Sequence, residues 1–227
     1  MSANIGLTSL LFIILLSTTS IFLSFSRFKI AKTNAQELNI YLFTALFAFA
    51  ILSQISLINA YVISDFSLKN VFENSHTLKP LIYKISGSWG NHEGSMLLLV
   101  TILAGYSFLF AIFDKSEYKN KTLGFQALII LGFASFTAFA SSPFEKLFPV
   151  PVEGMDLNPL LQDIGLALHP PVLYVGYLGF SLVFSLALAG LLHGKIDKYL
   201  AKSMTIWLYI SYSTLTLGLY RRSWSRY

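Results

Sequence analysis

Apolar residues in this chain run in long, charge-free blocks rather than at the spacing of a half-buried helix or strand. Six stretches, 5–25, 40–63, 95–113, 123–142, 172–192 and 203–220, contain no Asp, Glu, Lys or Arg. Each is about 18 to 24 residues long, enough at ~1.5 Å per residue to cross a hydrocarbon core of roughly 30 Å. In lipid, only helices and closed barrels satisfy their own backbone polar groups, and unbroken apolar runs do not fit the alternation of a barrel wall. The pattern therefore predicts an all-α, polytopic helical membrane protein. It has six transmembrane helices, two long outer loops and a short interfacial helix.

Composition agrees: 55% of the 227 residues are hydrophobic and 12% are charged, against about 25% charged in ordinary soluble domains. Residues 1–6 lack the basic region of a secretory leader, and the apolar run that follows is too long for one. The basic residues change the picture more. Loops 26–39, 114–122 and 193–202 hold nine of the sixteen Lys and Arg, whereas the longer loops 64–94 and 143–171 hold four. By the positive-inside bias, the N-terminus and the two long loops face away from the cytoplasm. The pI near 9.3 follows from that bias and not from a nucleic-acid surface, because no basic–aromatic stripe is present. There is no cysteine, so the chain makes no disulfide, carries no thiolate nucleophile and cannot itself bear haem through thioether bonds.

The short basic loops leave no room for a site, which directs attention to the two long ones. The first ends, over 85–95, in ISGSWGNHEGS. Its glycines and serines make a poor helix and allow close backbone approach, and Trp89 suits a membrane–water boundary. His92 and Glu93 follow directly above the third span. On residue types alone, a glycine-rich interfacial turn with a belt tryptophan is the simpler account.

The second loop carries DLNPLLQDIGLALHPPVLYVGY over 156–177. Asn158 with Pro159 reads as a helix N-cap and first position. Leu160, Leu161, Ile164 and Leu168 recur at helical spacing, so one face of a short helix can lie on the bilayer. His169 precedes Pro170, which biases its backbone out of the helix, and Pro171 is placed to start the fifth span. The imidazole is thus offered at a backbone break near Tyr174 and Tyr177. A rigidly held neutral imidazole is a good iron or zinc ligand, although a hydrogen-bonded interfacial histidine remains the simpler account from residue types. No HExxH, GxSxG, P-loop or dinucleotide fingerprint occurs. Asp156 and Asp163 read as solvated loop charges, His76 and His193 as structural, and Ser181, Ser185 and Ala189 as a small-residue row packing helix on helix.

WGNHEGSMLL and DLNPLLQDIGLALHPPVLYVGY resemble the signature segments of the CcmF family, the haem-handling lyase component of the cytochrome c maturation system. The resemblance covers about residues 7–218, with Leu99 standing where the first motif commonly has tryptophan. It implies that haem b is held on the outer face and joined through its vinyl groups to the CxxCH thiols of an exported apocytochrome c. His169 matches a haem axial ligand; Asp156, Asn158, Pro170, Pro171 and Tyr174 match its supporting motif. Trp89, His92 and Glu93 match a surface near haem or partner, without ligation. The implied partners are apocytochrome c, the other maturation subunits including the haem chaperone, and the lipid bilayer, with no nucleic acid. The implied location is the bacterial cytoplasmic (inner) membrane, multi-pass, with the mitochondrial inner membrane as alternative.

Residues 1–218 read as one CcmF-like N-terminal membrane domain. The tail 219–227, LYRRSWSRY, departs from the family, which continues into a tryptophan-rich haem-binding segment. Its outward-facing arginines oppose the positive-inside bias and suggest a truncation or frameshift, so that the chain alone is expected to be inactive as a lyase. The competing classes are a non-catalytic membrane scaffold or inactive gene fragment, a related haem exporter, and a solute transporter. The last is disfavoured because coupled transporters place ionisable groups at mid-bilayer.

Overall fold

The computed structural model describes residues 2–25, 32–156, 158 and 162–224. Among the described residues eight helices follow one another: α1 (Ser2–Phe25), α2 (Lys32–Val62), α3 (Lys69–Asn74), α4 (Leu81–Gly87), α5 (His92–Phe113), α6 (Lys119–Phe139), α7 (Ile164–His193) and α8 (Lys198–Trp224). There is no strand among the described residues; a single antiparallel bridge joins Leu68 to Lys146. The all-α membrane class stands.

Five helices, α1, α2, α5, α6 and α7, are long and apolar enough to cross a membrane. The expected sixth span, 203–220, is helical throughout within α8 but falls outside that group. Ser203, Thr205, Tyr209, Ser211, Tyr212, Ser213, Thr214, Thr216 and Tyr220 dilute its apolar character. Freedom from charge was the wrong measure there, because hydroxyls also lower hydropathy.

Small residues let the helix faces approach closely. Gly6, Ser9, Ser17, Ser20 and Ser24 are buried on α1 together with Leu10 and Ile13, while Leu15, Phe22, Phe113, Phe139 and Leu191 face outward. Lipid tails are as apolar as leucine, so close backbone approach drives the association. A Cβ on Gly6 would lie 2.2 Å from the Phe144 ring, and one on Gly176 2.5 Å from the Leu215 Cα. The small-residue row of α7 receives a polar partner: the Gln126 amide of α6 donates to Ser181 Oγ at 3.2 Å and to Ser185 Oγ at 3.0 Å.

The chain alternates direction, so the head of α1, the tail of α2, the heads of α5 and α7 and the tail of α6 share one end. At that end Lys146 Nζ donates to Asn4 Oδ1 at 2.8 Å, and α3 and α4 sit there between α2 and α5. At the opposite, lysine-rich end, Lys121 Nζ donates to the Ser24 carbonyl at 2.6 Å and Ser203 Oγ to Asp114 Oδ2 at 3.0 Å.

The expected break at His169–Pro170 is absent. α7 runs unbroken from Ile164 through Pro170 and Pro171 to His193, so the fifth span and the turn carrying His169 are one helix. A proline inside a helix removes a hydrogen bond. Leaving the helix at that depth would unpair more backbone groups where water is scarce. Asn158 is not helical, and Pro159, Leu160 and Leu161 of the expected interfacial helix lie outside the described residues.

Candidate functional site

The first motif turns sharply from α4 into α5. Asn91 caps α5, its Oδ1 accepting from the Gly94 N–H at 2.8 Å. Its amide donates to the Gly87 carbonyl at 2.7 Å and to the Tyr61 hydroxyl at 2.9 Å. Tyr61 donates to Asn70 Oδ1 at 2.7 Å, and the Asn70 amide donates to Asn91 Oδ1 at 2.7 Å and Glu93 Oε2 at 3.3 Å. A Cβ on Gly94 would sit 1.9 Å from the Ser88 carbonyl oxygen, so the turn closes only around glycine. Sequence reasoning passed over Tyr61, Asn70 and Asn91. An Asn just ahead of an apolar run is a readable cap signal; the other two carry none, because their role depends on α2 and α3 folding over the motif.

The two long loops are fastened together. Lys79 Nζ contacts Asp156 Oδ1 at 2.8 Å, with the lysine side chain 1% exposed and the aspartate 48%. Burial draws the Lys79 ammonium below its ordinary value, and the hydrogen bond to and charge of Asp156 oppose that shift. Asp156 takes a left-handed φ of 72°, and its N–H donates to the Ser75 carbonyl at 3.1 Å. The neighbouring Met155 N–H donates to the Phe72 carbonyl at 2.7 Å. Glu153 Oε1 accepts from the Thr77 hydroxyl at 2.9 Å and the Thr77 N–H at 3.0 Å. Its carboxyl is held below the usual range by the Gly154 N–H first, then by Thr77. Asp156 is thus engaged as a clasp between loops.

The head of α7 brings the two motifs into contact. Trp89 Nε1 donates to the Ala167 carbonyl at 2.9 Å, two residues before His169. The His169 ring is half-buried. Its Nδ1 is fully buried and has no hydrogen-bond partner among the described residues. Pro170 and Pro171 are half-buried beside it. Tyr174 packs against the core and meets Tyr177 edge-on at 5.2 Å between ring centroids. Tyr106 ties this stretch to α5 by donating to the Val175 carbonyl at 2.6 Å.

The first motif's other polar side chains point elsewhere. His92 is exposed; its Nδ1 lies 2.9 Å from Ser141 Oγ and its ring stands edge-on to Phe136. It opens on a groove of about 550 Å³ between α5 and α6, lined by Met96, Ile129 and Phe133. Glu93 turns toward Asn70. His76 lies 4.0 Å from Glu153, and His193 meets the Ala189 carbonyl and the Tyr118 ring at the lysine-rich end. No group of three His, Cys, Asp or Glu able to hold a metal ion occurs among the described residues. A single imidazole suits an iron that arrives with its other donors attached, rather than a bare ion.

Residues 89–221 match the model of the family described as cytochrome C assembly protein, a match that begins at Trp89. The chain is 51% identical over 184 residues to the cytochrome c-type biogenesis protein CycK of Rhizobium meliloti (strain 1021), covering 80% of this chain and 26% of that protein. It is 42% identical over 176 residues to the cytochrome c-type biogenesis protein CcmF of Escherichia coli (strain K12), covering 75% of this chain and 27% of that protein. The chain thus spans about a quarter of the length of these relatives. A solved structure of cytochrome c heme lyase CcmF superposes with a TM-score of 0.81 at 22% identity, covering 96% of this chain and 35% of the other. That likeness establishes the fold.

Proposed function

Since this chain belongs to the cytochrome c assembly protein family, we propose that it works in cytochrome c biogenesis, with His169 ligating haem iron. The observation that carries this reading is the meeting of the two motifs beside His169: Trp89 Nε1 donates to the Ala167 carbonyl at 2.9 Å, two residues ahead of the half-buried His169 ring. Its Nδ1 is buried and has no hydrogen-bond partner among the described residues, so the iron would meet the other ring nitrogen. The residues present fit a haem: one imidazole, an aromatic pair at Tyr174 and Tyr177, and no competing cluster of metal donors among the described residues.

When bound, haem b supplies vinyl groups, and each apocytochrome CxxCH thiol adds across one of them, sulfur and hydrogen both ending on the former double bond. This chain's part is to bind and orient. His169 holds the iron, and Asn158, Pro170, Pro171 and Tyr174 shape its surroundings. The Lys79–Asp156 clasp keeps the second loop over the first. Trp89, His92 and Glu93 lie at the same end, where apocytochrome c, the haem chaperone and the other maturation subunits would approach. The protein is placed multi-pass in the inner membrane with the motif end outward, a reading supported by Lys115, Lys121, Lys195 and Lys198 at the opposite end.

The test is haem retention. The chain is expressed in membranes with haem supplied, purified, and assayed as the pyridine haemochrome. His169→Ala should retain at least about tenfold less haem, and added imidazole should restore part of it. Equal haem in both proteins would sink the assignment.

A further inference from the structure

We propose that Trp89 is a positioning residue for His169, supplying to the Ala167 carbonyl the hydrogen bond that Pro171 cannot give; its functional half rests on the haem-ligand reading above. In an α-helix the carbonyl of residue 167 receives the N–H of residue 171. Position 171 is proline, which has none, yet α7 continues through it. The orphaned carbonyl falls two residues before His169, near the start of a membrane span where water cannot reliably serve it. Trp89 Nε1 occupies that vacancy at 2.9 Å. The indole has one donor and no acceptor, so the contact has a single sense.

Two further observations give the bond its weight. His169 Nδ1 has no partner among the described residues, whereas a metal-bound histidine is usually oriented by a hydrogen bond from its other nitrogen. Here the ring's position is set through its backbone, and Trp89 steadies that backbone. The far side of the brace is itself fixed: the Trp89 backbone N–H donates to the Ser86 carbonyl at 3.1 Å, and Asn91 binds the Gly87 carbonyl and Tyr61. A belt tryptophan needs only a wet place for its N–H. This one is directed at the backbone of the other motif.

Pro171→Ala restores a backbone N–H able to reach the Ala167 carbonyl, which makes a double-mutant cycle decisive. Trp89→Phe should raise hydrogen exchange at the amides of Leu168 and His169 at least about tenfold. In the Pro171→Ala background the same substitution should change exchange by less than about twofold. Replacing Trp89 with benzothienylalanine, which keeps the ring shape without the N–H, should behave as Trp89→Phe does and separates the bond from packing. With haem supplied, Trp89→Phe should broaden or shift the Soret band and move the reduction potential, and Trp89→Phe/Pro171→Ala should return both. An unchanged wild-type exchange pattern in Trp89→Phe, or an equal loss in both backgrounds, overturns the proposal, as does a bound haem whose signature ignores Trp89. If the wild type takes up no haem through His169, the functional reading fails, and the exchange cycle still decides the brace.

Discussion

Asn91→Ala tests whether the first motif is held by a network or only by a helix cap. The cap itself, Asn91 Oδ1 to the Gly94 N–H, is worth about 1 kcal/mol. The alanine also deprives the Gly87 carbonyl of its amide donor and removes one partner each from Tyr61 and Asn70. Tyr61 and Asn70 keep each other, and the Gly87 carbonyl keeps the Gly90 N–H at 3.2 Å, so the main added penalty is a lost hydrogen bond, about 0.5–1.5 kcal/mol. The sum is about 1.5–2.5 kcal/mol. Asn91→Ser keeps a capping oxygen and should recover about 1 kcal/mol. Asn91→Asp is the decisive variant, since aspartate caps as well as asparagine. It offers no donor and sets an anionic oxygen where the amide met the Gly87 carbonyl 2.7 Å away. Unfolding in mixed detergent micelles, followed by far-ultraviolet circular dichroism, reads all three. An Asn91→Asp variant as stable as the wild type would refute the network reasoning and leave only the cap.

Glycines of the bundle should divide by what a side chain would meet. Gly176→Leu must push α7 from the Leu215 backbone and should cost at least about 2 kcal/mol. Gly132→Ala meets nothing within 4 Å and should gain up to about 1 kcal/mol from helix propensity; matching midpoint shifts for the two would contradict the packing account. The Glu153–Thr77 link between the loops should weaken in acid. Glu153 has a lowered folded-state value, so its contribution is complete above the unfolded carboxylate value of about 4.3 and disappears as pH falls through the lower folded one. Glu153→Gln should flatten the acid limb of the stability profile, with His76 left in place beside it, and parallel profiles for the two proteins would dismiss that link.

What could be read from the sequence follows from which forces are local. Span positions are set by residue type within one segment, so the apolar blocks located the five spanning helices, and α8 was misjudged only in its hydroxyl content. Which face of each span turns inward was less legible, because Leu15 and Phe22 on the lipid side and Leu10 and Ile13 inside are chemically alike. Only small residues such as Gly176, Ser181 and Ser185 signal a contact. The two motifs were legible as motifs, and their common end followed from lysine placement. Their mutual contact was not. The His169–Pro170 break was inferred from local backbone preference, which the cost of unpairing further backbone groups at that depth outweighs; the donor that meets the Ala167 carbonyl comes from residue 89, far off in the chain. Likewise nothing near Lys79 in the chain announces Asp156 as its partner.

The unbroken passage of α7 through two prolines has a mechanical consequence. Beyond Pro171 the helix is a rod fixed by its own ladder of hydrogen bonds and by the glycine-lined seam with α8. Ahead of it, between Leu166 and Pro171, two rungs of that ladder are missing, so the rod has a joint, and its stiffness is lent by a side chain from a different segment. The His169 turn can therefore be re-aimed by events in the first loop while the membrane packing below it stays as it is.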